Sequence, residues 1–190
     1  MQVGSVVVLL LLVALGLYGV VIYNGLVALK HATAKAWSNI DVLLKQRHDE
    51  LPKLVEVAKQ YMAFEKDTLT RVISARSAVF NARETGDVAE VGRAESQLRQ
   101  GLGSFFAVAE QYPELKADEN FQHLRERITG LENTLADRRE FYNESVNLNN
   151  IRIEQFPDLL VARLFAFKAQ TLLEFAEGET RDVDLKSLFS

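Results

Sequence analysis

Arg47-His48-Asp49-Glu50 brings an imidazole, two carboxylates and a guanidinium together in consecutive residues, the ingredients of a metal-binding or catalytic elbow. The spacing does not serve that chemistry. Metal ligands on a helix share a face only at i, i+3 or i, i+4. Asp49 and Glu50 lie one and two positions beyond His48, Leu51 and Pro52 fill the next two, and Arg47 opposes a cation. His31 and His123 are equally isolated. A dinuclear carboxylate centre in a bundle requires Glu-x-x-His on two helices, whereas Glu119 and Glu126 bracket His123 at four and three residues. Gly101 and Gly103, in RQGLGSFF, have neither the preceding strand nor the following Lys-Ser/Thr of a phosphate loop. The sequence has no nucleophile elbow and no cysteine, which excludes thiolate chemistry and disulfides. It therefore assigns no catalytic, cofactor-binding or metal-ligating residue, and no cofactor is expected.

The segments that carry these residues read as helix. Placing Trp37, Leu44, Leu51 and Ala58 at heptad position a puts Ile40, Arg47, Leu54 and Tyr61 at d. Val72 and Val79 continue the a positions, with Ala75 and Ala82 at d. The seam keeps its phase across Pro52, which predicts a kinked but continuous helix. A break with Pro52 opening a new helix stays open as the alternative, with Leu51 a poor cap. Gly86-Asp87 marks a turn with Asp87 as N-cap, and Pro113 and Pro157 mark two further connections. Four helical segments follow, about 24–84, 88–112, 118–155 and 157–176. The third carries Phe121, Leu124, Ile128, Leu131, Leu135 and Tyr142 on one stripe, drifting to Val146 and Ile153. Mid-helix glycine costs about 1 kcal/mol relative to alanine, so Gly101 and Gly103 are expected at a close helix approach or a local bend.

Polar residues interrupt these apolar seams. Arg47 lies on the first, and Arg138 or Arg139, Asn143, Asn149 and Asn150 lie on or beside that of the third segment. One reading makes them register-fixing hydrogen bonds and ion pairs. The other makes Arg47, Arg139, Asn143 and Asn150 a polar groove that receives a partner segment. From Leu159 to Phe175, twelve of seventeen residues are apolar, more than one bundle face needs. Phe165, Phe167 and Phe175 are therefore candidates for a second contact, with another protomer or with a membrane surface.

No charged side chain precedes Lys30, and Val3–Tyr23 reads VGSVVVLLLLVALGLYGVVIY. Such a run, helical at about 1.5 Å per residue, spans roughly 31 Å, close to the hydrocarbon thickness of a bilayer. It lacks the positive start, short apolar core and small-x-small cleavage site of a signal peptide. A transmembrane anchor is expected over 1–29, with Lys30 and Lys35 directing the following domain to the cytoplasm. The net charge of −4 falls on interspersed acids and bases without a basic stripe, which argues against nucleic acid.

Ordered blocks along the chain carry a family likeness. They are YNGLV (23–27), then Ala36, Trp37, Ile40, Asp41, Leu44, Arg47, Asp49, Pro52, Leu54 and Val55, then YPELKADENFQHL (112–124). REFYNESV with Phe156, Pro157 and Ala162 closes the set. The chain resembles the LemA protein family over about 23–175. It departs from the family pattern at Asn149-Asn150, where Tyr-Asn often recurs, and at Lys53, where the residue is often uncharged. The resemblance implies a bacterial single-span membrane protein with a long antiparallel helical bundle, and it carries over no catalytic residue.

The resulting expectation is an all-α chain. An N-terminal transmembrane helix (1–29) continues into an elongated antiparallel helical bundle of about four helices (30–176), followed by a mobile tail (177–190). The expected role is a non-enzymatic scaffold or adaptor of the bacterial inner membrane that self-associates. Alternatives are an accessory subunit bound to a membrane protease or transporter, and a hydrolase using an unfamiliar carboxylate such as Glu132.

Overall fold

The computed structural model describes residues 2–174 and is all-α, with no strand among them. The helices are α1 (Gln2–Tyr61), α2 (Lys66–Thr85), α3 (Val88–Ala109), α4 (Pro113–Ala117), α5 (Glu119–Glu154) and α6 (Asp158–Leu164). Helix α1 runs from the apolar run through Pro52 without a break, so the continuous reading holds.

Three boundaries differ from the expected four segments. The first segment ends at Tyr61, where Met62 and Glu65 form a turn through Met62 N–H to Ala58 O (2.8 Å) and Glu65 N–H to Met62 O (3.0 Å). Helix α4 is a separate short turn between α3 and α5, opened by Pro113 at its start. The last segment stops at Leu164 instead of reaching 176, and Ala166 just beyond it has φ +53°. Elsewhere local chemistry sets the ends as the residue types predict. Gly86 (φ +72°) closes α2 in the left-handed conformation, and Asp87 Oδ1 accepts from Ala89 and Glu90 N–H at 2.9 and 3.2 Å.

The helices divide into two compact units. One contains residues up to Asn39 with Arg138–Leu172, and the other contains Ile40–Asp137 with Leu173 and Glu174. In the second unit the predicted seam is the core. Ile40, Leu44, Leu51, Leu54 and Ala58 of α1 are buried together with Leu69, Val72, Val79 and Ala82 of α2. Helix α3, packed along α2, adds Val91, Leu98, Leu102 and Phe105, and α5 adds Phe121, Ile128 and Leu135. Each of the valine, leucine, isoleucine and phenylalanine side chains contributes about 1.5–3 kcal/mol on leaving water. Pro52 itself is exposed, so its ring faces outward while Leu51 and Leu54 face the core.

In the first unit Ile22 and Leu26 of α1 pack on Ile153 of α5 and Ala162 of α6, flanked by Val161 and Phe167. Trp37 and Tyr142 meet in a tilted contact with ring centroids 5.4 Å apart. Residues 3–18 of α1 are exposed along their whole circumference.

Candidate functional site

Arg47, the charge on the apolar seam, is 1% exposed, and its guanidinium bonds both carboxylate oxygens of Glu95, itself 2% exposed. Its second terminal nitrogen lies 3.6 Å from Glu132 Oε1. One side chain of α1 thereby ties α3 and α5. Both bonds to Glu95 come from one terminal nitrogen, Nη2, a charge-assisted contact between two enclosed groups. Glu95 is the partner that sequence reading did not supply. Only its place on the buried stripe of α3, at Leu98 minus three, could have suggested it.

Around this centre the other charges also join helices. Arg83 of α2 bonds Asp41 of α1, with Nη2 donating to Oδ2 at 3.2 Å, and that hydrogen bond, helped by the charges of Asp41 and Glu84, raises its pKa against the opposing effect of burial. Glu50 receives Lys53 and, from α5, Arg127, each at 3.0 Å. At the turn after α1, Tyr61 Oη donates to Asp118 and Tyr112 Oη donates to Glu65, both at 3.0 Å.

His48 has a structural partner in Arg76 of α2. Pro52 has no N–H, so the carbonyl four residues earlier, that of His48, loses its helical donor. Arg76 Nε supplies the missing bond at 2.9 Å, and its Nη2 lies 2.6 Å from His48 Nε2. The proline is thus accommodated by a guanidinium from the neighbouring helix. Arg76→Met is expected to lower stability by about 1.5–3 kcal/mol, the range for hydrogen bonds to charged groups. In a Pro52→Ala background position 52 regains its N–H, so the Arg76→Met penalty should shrink. Equal penalties in the two backgrounds, measured by chemical denaturation, would show that Arg76 does not serve the carbonyl.

The imidazole accepts from Arg76 only when neutral. Burial, then the Arg76 charge, holds its pKa below the ordinary 6.5. The unfolded chain takes up this proton near 6.5 while the folded chain resists it, so the unfolded state binds more protons just below that value. Stability is full above it and declines as pH falls through it toward the lowered folded value. Unfolding midpoints measured from about pH 7.5 to about pH 5.5 should fall, and His48→Gln should flatten that slope.

A different arrangement occupies α5 in the first unit. Asn150 Nδ2 donates to Gln170 O at 2.9 Å while its Oδ1 accepts from Gln170 N–H at 2.8 Å. Asn149 Nδ2 donates to Lys168 O (3.3 Å), and Tyr142 Oη donates to Thr171 O (2.8 Å). The side-chain amide of Asn150 pairs with a backbone as a second strand would. What these polar residues receive is the chain's own segment 168–171. Arg139 and Asn143, half-buried on the same helix, are also partnered.

That segment is where the fourth helix was expected, and it changes the reading of the phenylalanines. Phe167 is half-buried and packs on Tyr23 at 5.8 Å between ring centroids, while Phe165 meets the same tyrosine at 4.7 Å and stays 55% exposed. Phe175 lies outside the described residues, as does the tail 177–190. Farther on, in the second unit, a Cβ built on Gly92 would lie 2.1 Å from Glu174 O. Gly92 is the glycine of close approach. Gly101 and Gly103, expected in that role, face open space, and Gly101 lines a cleft of about 540 Å³ between α2 and α3.

Among the described residues no three His, Cys, Asp or Glu side chains converge to hold a metal ion. Glu132, the carboxylate singled out for a hydrolase, faces Arg47 instead. The LemA family model matches residues 36–186. The chain belongs to the LemA family. Asp41, Arg47, Tyr112 and Tyr142, among the residues of the LemA likeness, are engaged in the contacts above. Similar proteins include magnetosome protein MamQ 2 of Paramagnetospirillum magneticum, 26% identical over 185 residues that cover 83% of this chain and 67% of the relative. Magnetosome protein MamQ of Magnetospirillum gryphiswaldense is 23% identical over 172 residues, 77% of this chain and 62% of the relative. Protein LemA of Metamycoplasma hominis is 27% identical over 167 residues, 87% of this chain and 74% of the relative.

Proposed function

We propose that this LemA-family chain is a non-enzymatic scaffold of the bacterial inner membrane, anchored by one span and self-associating through its helical domain. The carrying observation is α1 itself. It is long and apolar enough to cross a bilayer, its residues 3–18 are uncovered by the fold, and it continues without interruption into the buried seam. The span and the buried seam thus belong to one helix, with no linker between them. The acids and bases supply a second support, since Arg47, Asp41, Glu50 and Arg76 are engaged in joining helices. Two of the relatives bear names that refer to a cellular body and not to a reaction, which fits the same reading.

Self-association draws on α5. Phe141, Leu148 and Ile151 are exposed at spacings of seven and three residues, which puts them on one side of the helix. Lys30 and Lys35, just past the apolar run, direct the domain to the cytoplasm. A hetero-partner within a membrane protease or transporter is the competing outcome. Crosslinking at native abundance followed by mass spectrometry tests both, with links from the chain to itself expected and links only to a membrane enzyme contradicting self-association. Topology is checked on Glu84→Cys, which should resist an impermeant thiol reagent in intact cells and react after lysis.

A further inference from the structure

The exposed apolar residues at the end of the described chain do not surround α6 evenly. Asp158 and Ala162 are buried, whereas Phe156, Leu160 and Leu164 recur every fourth residue and are 80, 61 and 77% exposed. Leu160 and Leu164 share one face of α6, and Phe156 just before the helix and Phe165 just after it add to the exposed apolar surface. Four large apolar side chains in ten residues are left in solvent unless something covers them.

Their place in the fold names the cover. Helix α6 rests through Ala162 on Ile22 and Leu26 of α1, and Phe165 rests on Tyr23. Those α1 residues are the last turns of the apolar run, a few residues before Lys30, the first charge. The wedge is therefore continuous with the uncovered surface of the span at the level where hydrocarbon gives way to headgroups. Polar chemistry at this level agrees. Lys30, His31 and Lys168 line a cleft of about 530 Å³ beside Tyr23, Phe165 and Phe167, and Arg163 is exposed on α6. Tyrosine and basic side chains are the residues that settle at an interface with anionic lipid. The one acid on α6, Asp158, is held by Arg152 and turned inward, so it presents no free carboxylate to lipid.

We propose that Phe156, Leu160, Leu164 and Phe165 form a second, monotopic membrane contact, inserting into the leaflet from which α1 emerges. This rests on the reading of α1 as a span. A short helix lying in the interface buries its apolar face in the headgroup and upper acyl region. Together with the span it fixes the rotation of α1 about its own axis, which a single helix cannot do.

The test uses the full chain in vesicles of mixed zwitterionic and anionic phospholipid, with and without bromine on the upper acyl chain. Trp37→Phe removes the one native tryptophan. In that background Leu164→Trp, Leu12→Trp and Phe64→Trp place a single reporter on the wedge, in the span and on a fully exposed site of the second unit. Leu164→Trp is expected to lose most of its fluorescence to the brominated lipid, as Leu12→Trp does, while Phe64→Trp loses none. Quenching at position 12 without quenching at 164 overturns the wedge and leaves the span intact. An unquenched but blue-shifted Leu164→Trp assigns that face to a second copy and also overturns it. Absence of quenching at position 12 overturns the span and the wedge together.

Discussion

Glu95→Leu is expected to destabilise the protein by about 3–5 kcal/mol, because it leaves a buried guanidinium without its main counter-charge. Arg47 is almost wholly enclosed, and Glu132, 3.6 Å from the other nitrogen and partly exposed, gives a weaker partner. Removing both charges has the opposite logic. A hydrophobic pair of similar volume avoids desolvating two ions, so Arg47→Met combined with Glu95→Leu should recover most of the loss. Chemical denaturation of the three variants measures it. A double variant as unstable as Glu95→Leu alone would mean that the site depends on the ion pair itself and not on the absence of an orphaned charge. Arg47→Leu alone separates the two readings of the seam. If it remains as stable as wild type yet loses a captured partner, Arg47 is a recognition residue and not a lock.

The second large effect concerns Gly92. Its missing Cβ leaves room for the backbone at Glu174, so Gly92→Ala forces a clash with a carbonyl that has no flexible side chain to yield. Leu173, next to it, is buried to 1% exposure. Displacement of that end should uncover Leu173, and Leu173→Ala alone should cost about 2–5 kcal/mol. Limited proteolysis should cut Gly92→Ala within 168–174 while leaving α1 to α5 intact. A Gly92→Ala protein as protease-resistant as wild type would show that the segment seats elsewhere.

Periodicity made the helices legible, and charge placement made Arg47 stand out. Leu44, Leu51, Leu54 and Ala58 sit where the heptad puts them, and Pro52 leaves the helix continuous. The partners were not legible, because Glu95 and Arg76 lie 48 and 28 residues from the groups they meet, on separate helices. No pattern along one helix encodes a meeting of that kind. Helix α6 ends at Leu164, short of the expected 176, for a different reason. Residues 165–174 are apolar enough to look helical, but Tyr142, Asn149 and Asn150 bond backbone groups there that a helix would satisfy internally. Asn149-Asn150, both a departure from the LemA pattern and part of the polar interruption of the α5 seam, hold that segment. Gly101 and Gly103 drew attention by their helical context, whereas Gly92 is the one that a neighbouring backbone requires.

Native mass spectrometry of the full chain released from lipid nanodiscs is the most direct test of a self-associating membrane scaffold. The account predicts assemblies of several chains that fall to single chains in Phe141→Ser combined with Leu148→Ser, with the helical content unchanged. Single chains alone from the wild-type protein, across the range of protein-to-lipid ratios, would contradict it.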